Sequence, residues 1–144
     1  MPNYFAYGSN MSAQRMRVRL GWSPFRYGVI LKDYVMIFNK QSNDGGKANI
    51  QYSPGHKVEG IIYHVYEDDL LKLDHFEGVA DSHYKRQQIK VHNGNASAIS
   101  AITYIALKTG AVSAPTEEYL NHILEGKEFL SPAYFANLAA TETI

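Results

Sequence analysis

Cysteine is absent from this chain, and its absence excludes several kinds of chemistry. With no thiol among 144 residues, the chain can form no disulfide, no thiolate metal site and no cysteine nucleophile. It also lacks any run of roughly 18 uninterrupted apolar residues, and no basic stretch followed by an apolar one opens the sequence. We therefore expect a cytoplasmic protein with no membrane partner.

An excess of charge of either sign is missing as well. Fourteen basic and fourteen acidic residues cancel to a net charge of +0, so no global field attracts nucleic acid or an anionic membrane. The nearest approach to a basic patch is formed by Arg15, Arg17, Arg19 and Arg26, which we interpret as the solvent-exposed face of a helix. We expect no nucleic-acid partner.

The histidines show no pattern typical of a metal site. Six are present, at positions 56, 64, 75, 83, 92 and 122, without an H-E-x-x-H motif and without cysteine partners. We predict neither a metal nor another cofactor. What the chain does have in quantity is tyrosine, with eleven residues. Because tyrosine combines a buried ring with a polar tip, part of this set can line a wet pocket as well as a dry core.

The order of predicted elements indicates one domain over residues 1–144. A short strand, a turn and a helix open the chain, strands dominate residues 25–66 and 84–107, and two helices follow residue 116. Within the strand regions we predict turns at 53–55 and 93–95, and a helix at 67–76. Most connections are too short for a crossover helix. We therefore predict an α+β fold with a mixed, largely antiparallel, barrel-like sheet and peripheral helices.

The first turn, Gly8, Ser9 and Asn10, joins the opening strand to the first helix. Successive backbone N–H groups in such a turn converge on one point and favour an anion there, such as a carboxylate or a phosphate. Many small domains begin in the same way without binding an anion, so the shape alone leaves both readings open.

Glu77 follows the predicted helix 67–76 and precedes Gly78, which places it on the last helical turn or at its C-cap. Phe76, Val79 and the sheet would desolvate its carboxylate, and the helix end is unfavourable for a negative charge. Both effects raise the pKa toward the range of a general acid or base. The alternative is an ordinary solvent-exposed glutamate.

Two stretches resemble the gamma-glutamylcyclotransferase family. Residues 4–11 (YFAYGSNM) closely resemble its N-terminal loop, and residues 73–79 (LDHFEGV), followed by Tyr84, are similar to its segment with a glutamate before glycine and a later tyrosine. Tyr104 and Tyr119 also match tyrosines of the family. The resemblance implies that Glu77 is the catalytic acid/base and that the family's cyclotransferase fold extends over most of the chain.

The reaction implied by this resemblance is the cleavage of a small gamma-glutamyl amide by its own α-amine, which gives 5-oxoproline and a free amine or amino acid. Backbone N–H groups of the first turn would hold the substrate's α-carboxylate. The pocket walls would consist of Tyr7, Tyr84, Tyr104 and Tyr119. The leaving group stays open, and a homodimer is compatible with the sequence although no feature selects it.

Two other functions remain as alternatives. A serine hydrolase using Ser9 would need the Gly-x-Ser-x-Gly signature, which is missing, and the adjacent Asp74 and His75 point to different faces. A non-catalytic domain of the same fold could bind a small metabolite or a protein. The presence of both Gly8 and Glu77 favours catalysis over that second alternative.

Overall fold

Five strands form one mixed sheet in the computed structural model, which describes residues 1–94 and 97–144. The strands are β1 (Asn3–Ala6), β2 (Arg26–Lys40), β3 (Lys47–His64), β4 (Tyr84–Val91) and β5 (Ile99–Ala106), in the spatial order β2-β3-β1-β5-β4. β1 runs parallel to β5, and the other neighbouring pairs are antiparallel. The predicted mixed, largely antiparallel sheet is confirmed.

The two outer strands of the sheet approach each other, which gives the sheet its barrel-like shape. Ile30 in β2 donates its N–H to the carbonyl of His92, just after β4, at 2.8 Å, and His92 donates back to Ile30 at 2.9 Å. Closing a sheet in this way protects edge groups that would otherwise be open to pairing with another chain. The barrel-like arrangement predicted from the sequence is therefore present.

The central strand β1 is buried and lies very close to β3. Phe5 is fully buried, and Gly60 of β3 stands beside it. A Cβ atom added at Gly60 would lie 2.5 Å from the carbonyl oxygen of Ala6 and 2.6 Å from the Phe5 ring. Glycine at position 60 thus allows the close approach that places the end of β1 in the middle of the fold.

The prediction of a turn at 53–55 is wrong, because the chain does not reverse its direction there. β3 is continuous, and β2 and β3 pair on both sides of an irregularity: Lys32 faces Lys57, whereas Tyr34 faces Tyr52. Asp33 (φ 65°) therefore stands opposite residues 53–56, and its carboxylate accepts the N–H of Gly55 at 3.0 Å. The extra residues bulge outward and the strand continues, because a bulge absorbs turn-forming residues without ending the pairing.

Four helices surround the sheet: α1 (Ala13–Leu20), α2 (Glu67–Phe76), α3 (Glu117–Leu124) and α4 (Pro132–Ala139). Ser12, Thr116 and Ser131 cap α1, α3 and α4, each hydroxyl accepting a backbone N–H of the first turn. The turn predicted at 93–95 lies partly outside the described residues. No helix in the described part of the chain is long and apolar enough to cross a membrane.

Candidate active site

A cavity of about 170 Å³ opens where β1 ends and α2 ends. The eight residues that the sequence proposed as a site all line it: Tyr7, Gly8, Ser9, Asn10, Glu77, Tyr84, Tyr104 and Tyr119. They come from β1 and its following turn, the end of α2, β4, β5 and α3. The structure therefore brings the proposed site residues together, while their chemical roles remain predictions. We refer to this space as the inner cavity.

The turn after β1 forms a tight wall of the inner cavity. A Cβ atom at Gly8 would stand 3.1 Å from the Cβ of Ala48, so a larger residue would push β3 away. The turn then closes as a short 3-10 helix, Ser9–Met11, through bonds donated by the N–H groups of Met11 (3.0 Å) and Ser12 (3.2 Å). These two bonds do not use the N–H groups of Ser9 and Asn10 at the start of the turn.

Glu77 is the C-cap residue of α2, as the sequence predicted. Its N–H donates to the carbonyl of Leu73 at 2.8 Å, and Gly78 (φ 65°) then turns the chain away from the helix axis. The side chain is partly buried. Burial raises the pKa of Glu77, and the positive charges of Arg19 and Arg15 offset part of that rise. This carboxyl group therefore keeps its proton to a higher pH than an ordinary glutamate does, which suits it to proton exchange.

Asn10 links this carboxyl group to the rest of the inner cavity. Its side-chain Nδ2 donates to the hydroxyl oxygen of Tyr4 at 2.9 Å and lies 3.4 Å from Oε1 of Glu77. Its Oδ1 accepts a hydrogen bond from Nη1 of Arg19 at 3.1 Å, and its backbone carbonyl accepts one from the hydroxyl of Tyr63 at 2.7 Å. Because Arg19 can only donate, the amide oxygen must face Arg19 and the amide nitrogen must face Glu77.

The interpretation of Arg15, Arg17, Arg19 and Arg26 as the solvent-exposed face of a helix is wrong for three of the four. Arg26 begins β2, and its Nη1 donates to the carbonyl of Met11 at 3.2 Å. Arg15 and Arg19 line the inner cavity, and Arg17 between them is exposed. Residues four apart lie on the same side of a helix, so the spacing could have identified this pair. The guanidinium of Arg19 also stands over the ring of Phe76, 4.8 Å from its centre. Nε of Arg15 is buried and finds no hydrogen-bond partner among the described residues.

Most of the tyrosine hydroxyl groups of the inner cavity donate to protein acceptors. Tyr7 donates to the carbonyl of Tyr104 at 2.6 Å, Tyr84 to the carbonyl of Ala48 at 2.7 Å, and Tyr104 to Oδ1 of Asp74 at 2.7 Å. These rings therefore form walls with fixed positions. Burial and neighbouring charges raise the pKa values of all three.

Tyr119 differs from Tyr7, Tyr84 and Tyr104. Its hydroxyl oxygen accepts the backbone N–H of Ala48 at 3.0 Å, which leaves the hydroxyl proton available to a bound molecule. Burial raises the pKa of Tyr119 to about 12, so the hydroxyl stays neutral at physiological pH and acts as a donor. The Nζ atom of Lys47 lies 4.4 Å from the centre of its ring.

Seven lining residues were not identified from the sequence: Tyr4, Arg15, Arg19, Lys47, Ala48, Phe76 and Thr103. Tyr4 and Phe76 lie within the two stretches that resemble the family, next to residues that were identified. Thr103 and Ala48 reach the cavity only because β5 and β3 flank β1, and no local pattern in the sequence reports that pairing.

A larger open groove of about 970 Å³ adjoins the inner cavity. The two spaces share Lys47, Phe76, Glu77 and Tyr84, so they adjoin along these four residues. The 41–46 loop between β2 and β3 lines the far side of this outer groove, together with residues 111–113. Glu77 thus lines both the inner cavity and the more open outer groove.

The described residues were also compared with what a metal site or a serine nucleophile would need. Among residues 1–94 and 97–144, no group of three histidine, aspartate or glutamate side chains is placed to hold a metal ion. No histidine is among the described residues that line the inner cavity with Ser9. Asp74, beside His75 in sequence, pairs with Arg86 and Tyr104 instead.

Comparison with known proteins agrees with this geometry. The model of the AIG2-like family matches residues 57–138. Human gamma-glutamylcyclotransferase is 32% identical over 127 residues, which cover 84% of this chain and 66% of the human protein, and the bovine protein of the same name is 30% identical over 129 residues, 85% and 68% respectively. A solved structure named gamma-glutamyl cyclotransferase superposes with a TM-score of 0.90 at 30% identity, covering 99% of this chain and 89% of that one.

The fold, the cavity and these similarities agree. The chain belongs to the AIG2-like family, and the relatives compared above carry the name gamma-glutamylcyclotransferase. The chain spans 66% of the length of the human relative and 62% of the length of the mouse relative.

Proposed function

We propose that the protein is a gamma-glutamylcyclotransferase-type enzyme. It would cleave a small gamma-glutamyl amide through attack of the substrate's own α-amine, releasing 5-oxoproline and an amine or amino acid. The observation that carries this proposal is the position of Glu77, a partly buried carboxyl group with a raised pKa that lines the same cavity as the turn Gly8 to Asn10. The names of the relatives point the same way.

Glu77 would act first as the base. The α-ammonium group of a gamma-glutamyl substrate has an ordinary pKa of about 8 and is not nucleophilic until it loses a proton. Glu77 accepts that proton, and the freed amine nitrogen attacks the γ-carbonyl carbon to close a five-membered ring. The substrate supplies the nucleophile, so the protein need only hold the chain in its folded conformation.

Glu77 would then act as the acid. Collapse of the tetrahedral intermediate breaks the bond between the γ-carbon and the amide nitrogen, and that nitrogen needs a proton in order to leave as a neutral amine. The protonated Glu77 donates it and returns to the carboxylate form. The carboxylate then accepts the second proton that the ring nitrogen still carries and passes it to the released amine, which becomes an ammonium ion. One residue thus carries the proton from the attacking amine to the leaving amine, which is consistent with a pKa above that of an ordinary glutamate.

The anionic parts of the substrate would bind the walls opposite Glu77. The N–H groups of Ser9 and Asn10, which the 3-10 turn does not use, are suited to a carboxylate, and the guanidinium of Arg15 adds a positive charge to the same cavity. The free hydroxyl proton of Tyr119 could stabilise the oxyanion. A well-placed donor of this kind contributes roughly 3 kcal/mol to transition-state stabilisation.

The experiment that tests the reaction type measures the products from a panel of gamma-glutamyl dipeptides and gamma-glutamylamines. A cyclotransferase releases 5-oxoproline in equal amount to the free amine, whereas a hydrolase using Ser9 releases glutamate. We expect 5-oxoproline, and we expect Ser9→Ala to lower kcat by no more than about ten-fold, because the backbone N–H remains. Loss of a true serine nucleophile costs on the order of 10⁶-fold.

A panel that yields neither product would contradict the proposed reaction. The non-catalytic alternative would then be tested by calorimetric binding of the same compounds. Saturable binding without turnover would favour a metabolite-binding domain, and the inner cavity would be its site.

A further inference from the structure

The outer groove lies where the leaving group of the proposed reaction must be. When the gamma-glutamyl part occupies the inner cavity, the departing amine faces outward past Glu77, because that residue lines both spaces. The side chains of the outer groove therefore determine which leaving groups fit. This inference rests on the proposed cyclotransferase function.

Two lysines face each other at the mouth of the hairpin between β2 and β3. Lys40 ends β2 and Lys47 begins β3, and the two are directly opposite in the antiparallel register. Both line the outer groove. Like charges opposite each other on neighbouring strands destabilise the pairing, so this arrangement has a cost that a bound anion would relieve.

The two lysines differ in how their charges are balanced. Nζ of Lys47 lies 3.3 Å from a carboxylate oxygen of Asp44 and stands over the ring of Tyr119. Lys40 is 5% exposed, and its Nζ donates to the carbonyl of Gln41 at 2.7 Å. No carboxylate among the described residues lies within 4.0 Å of Nζ of Lys40.

The surroundings of Lys40 make its charge unfavourable without a ligand. Burial lowers the pKa of Lys40, and the charges of Lys108 and Lys47 lower it further. A cation that is partly removed from water is stabilised by a paired anion. The ring of Tyr84, which also lines the inner cavity, has its centre 6.0 Å from Nζ of Lys40, so this charge stands at the border of the two spaces.

We propose that Lys40 is a specificity-determining residue that binds a negatively charged group, such as a carboxylate, on the leaving amine. Leaving groups that carry a carboxylate close to the amine nitrogen are then preferred over neutral and cationic amines of the same size. Asp44, in the loop that joins the strands of the two lysines, pairs with Lys47, so Lys47 is less available to a bound anion than Lys40.

A pair of matched substrates tests this preference. Gamma-glutamyl-alanine and gamma-glutamyl-alaninamide have the same shape around the scissile bond and differ by one negative charge. We expect the wild-type kcat/KM for gamma-glutamyl-alanine to be at least about ten-fold higher than for gamma-glutamyl-alaninamide. A charge-assisted hydrogen bond contributes roughly 1.5–3 kcal/mol, which corresponds to a factor of about 10–150. Equal kcat/KM values would overturn the role of Lys40.

Variants of Lys40 separate a binding role from a structural one. Lys40→Met should lose its preference for the carboxylate substrate while turning over the alaninamide about as fast as wild type, and Lys40→Arg should keep most of the preference. If Lys40 has a purely structural role, Lys40→Met should lower kcat/KM equally for the two substrates. That result would overturn the inference. Lys85→Met is the matched control, since Lys85 is exposed on β4 and does not line the groove in the described structure.

The outcomes distinguish this inference from the proposed function. Release of 5-oxoproline from both substrates at the same rate would overturn the inference about Lys40 and leave the reaction standing. Release from neither substrate, nor from any other member of the panel, would overturn the reaction and the inference together.

Discussion

The side-chain amide of Asn10 lies 3.4 Å from the carboxylate of Glu77, although the two residues are 67 positions apart in sequence. One belongs to the turn after β1 and the other caps α2. Their meeting joins the two stretches that resemble the gamma-glutamylcyclotransferase family into one site. The amide of Asn10 is held by Arg19 on its other side, so the environment of Glu77 is fixed by neighbours on α1 as well.

Replacing Asn10 with aspartate should raise the pKa of Glu77. The change puts a second carboxylate beside Glu77 in place of an amide donor, and like charges at this distance disfavour ionisation. We expect the acidic limb of the kcat/KM profile to move up by about one pH unit, because this limb reports the base in the free enzyme. Asn137→Asp, on an exposed position of α4, is the control. An unchanged limb would show that Glu77 is not the titrating base.

Removing the charge of Arg19 should act in the same direction. Arg19 lowers the pKa of Glu77 against the effect of burial, so Arg19→Gln lets that pKa rise. The acidic limb should again move to higher pH, so kcat/KM measured on that limb should fall. The exposed Arg17→Gln on the same helix removes an equal charge and should leave the profile in place. A matching shift from both variants would indicate a general field effect instead of a specific one.

Glu77→Gln should leave the protein as stable as wild type or more stable at neutral pH. A carboxyl group with a raised pKa in the folded state loses stability as the pH rises from the unfolded value, about 4.3, through the folded value. Glutamine removes that loss, and each kcal/mol regained raises Tm by about 4 °C. The difference should shrink toward pH 4, where the carboxyl group is mostly protonated in both the folded and the unfolded state. Thermal melting at pH 4 and pH 8 measures it, and a lower Tm at pH 8 would contradict the raised pKa.

Asp74 supports the inner cavity from behind. It receives two hydrogen bonds from Arg86, at 2.8 and 2.7 Å, and one from the hydroxyl of Tyr104. Burial alone would raise the pKa of Asp74, but these hydrogen bonds outweigh it and hold the pKa below its usual value. We expect Asp74→Asn to cost about 1–3 kcal/mol of unfolding free energy at pH 7.

The pH dependence of that loss follows from the lowered pKa. The stability that Asp74 contributes is present above its unfolded pKa and is lost as the pH falls through the folded value. The difference between Asp74→Asn and wild type should therefore shrink at acid pH in denaturant titrations. The exposed Glu142→Gln should change the free energy of unfolding by less than about 0.5 kcal/mol. A gap that stays constant down to low pH would contradict this role.

Local sequence signals predicted the elements that carry the site. Three acidic residues open α2 and Gly78 ends it, so the helix and the C-cap position of Glu77 could be derived from the sequence. The turn at Gly8 to Asn10 was predicted because three turn-forming residues follow a short strand there. The orientation of the Asn10 amide could not be, because it depends on Tyr4 and Arg19, which fold against it from different elements.

Features set by strand pairing were harder to predict. Ser53, Pro54 and Gly55 form a typical turn sequence, yet pairing with β2 on both sides turns them into a bulge. Arg15 and Arg19 belong to a segment with the composition of a surface helix. However, α1 packs against α2, and both side chains line the inner cavity. In both cases tertiary contacts decide between outcomes that local propensity leaves open.

The most direct test of the proposed mechanism is the release of 5-oxoproline from a gamma-glutamyl dipeptide by wild type and by Glu77→Gln, measured at saturating substrate. Glutamine keeps the shape of the side chain but can neither accept nor donate the transferred proton. We expect kcat to fall by at least about 10³-fold, within the range for loss of a general acid or base, while calorimetric binding of the substrate stays within a few-fold of wild type. A variant that retains a tenth or more of the wild-type kcat would contradict the catalytic role of Glu77.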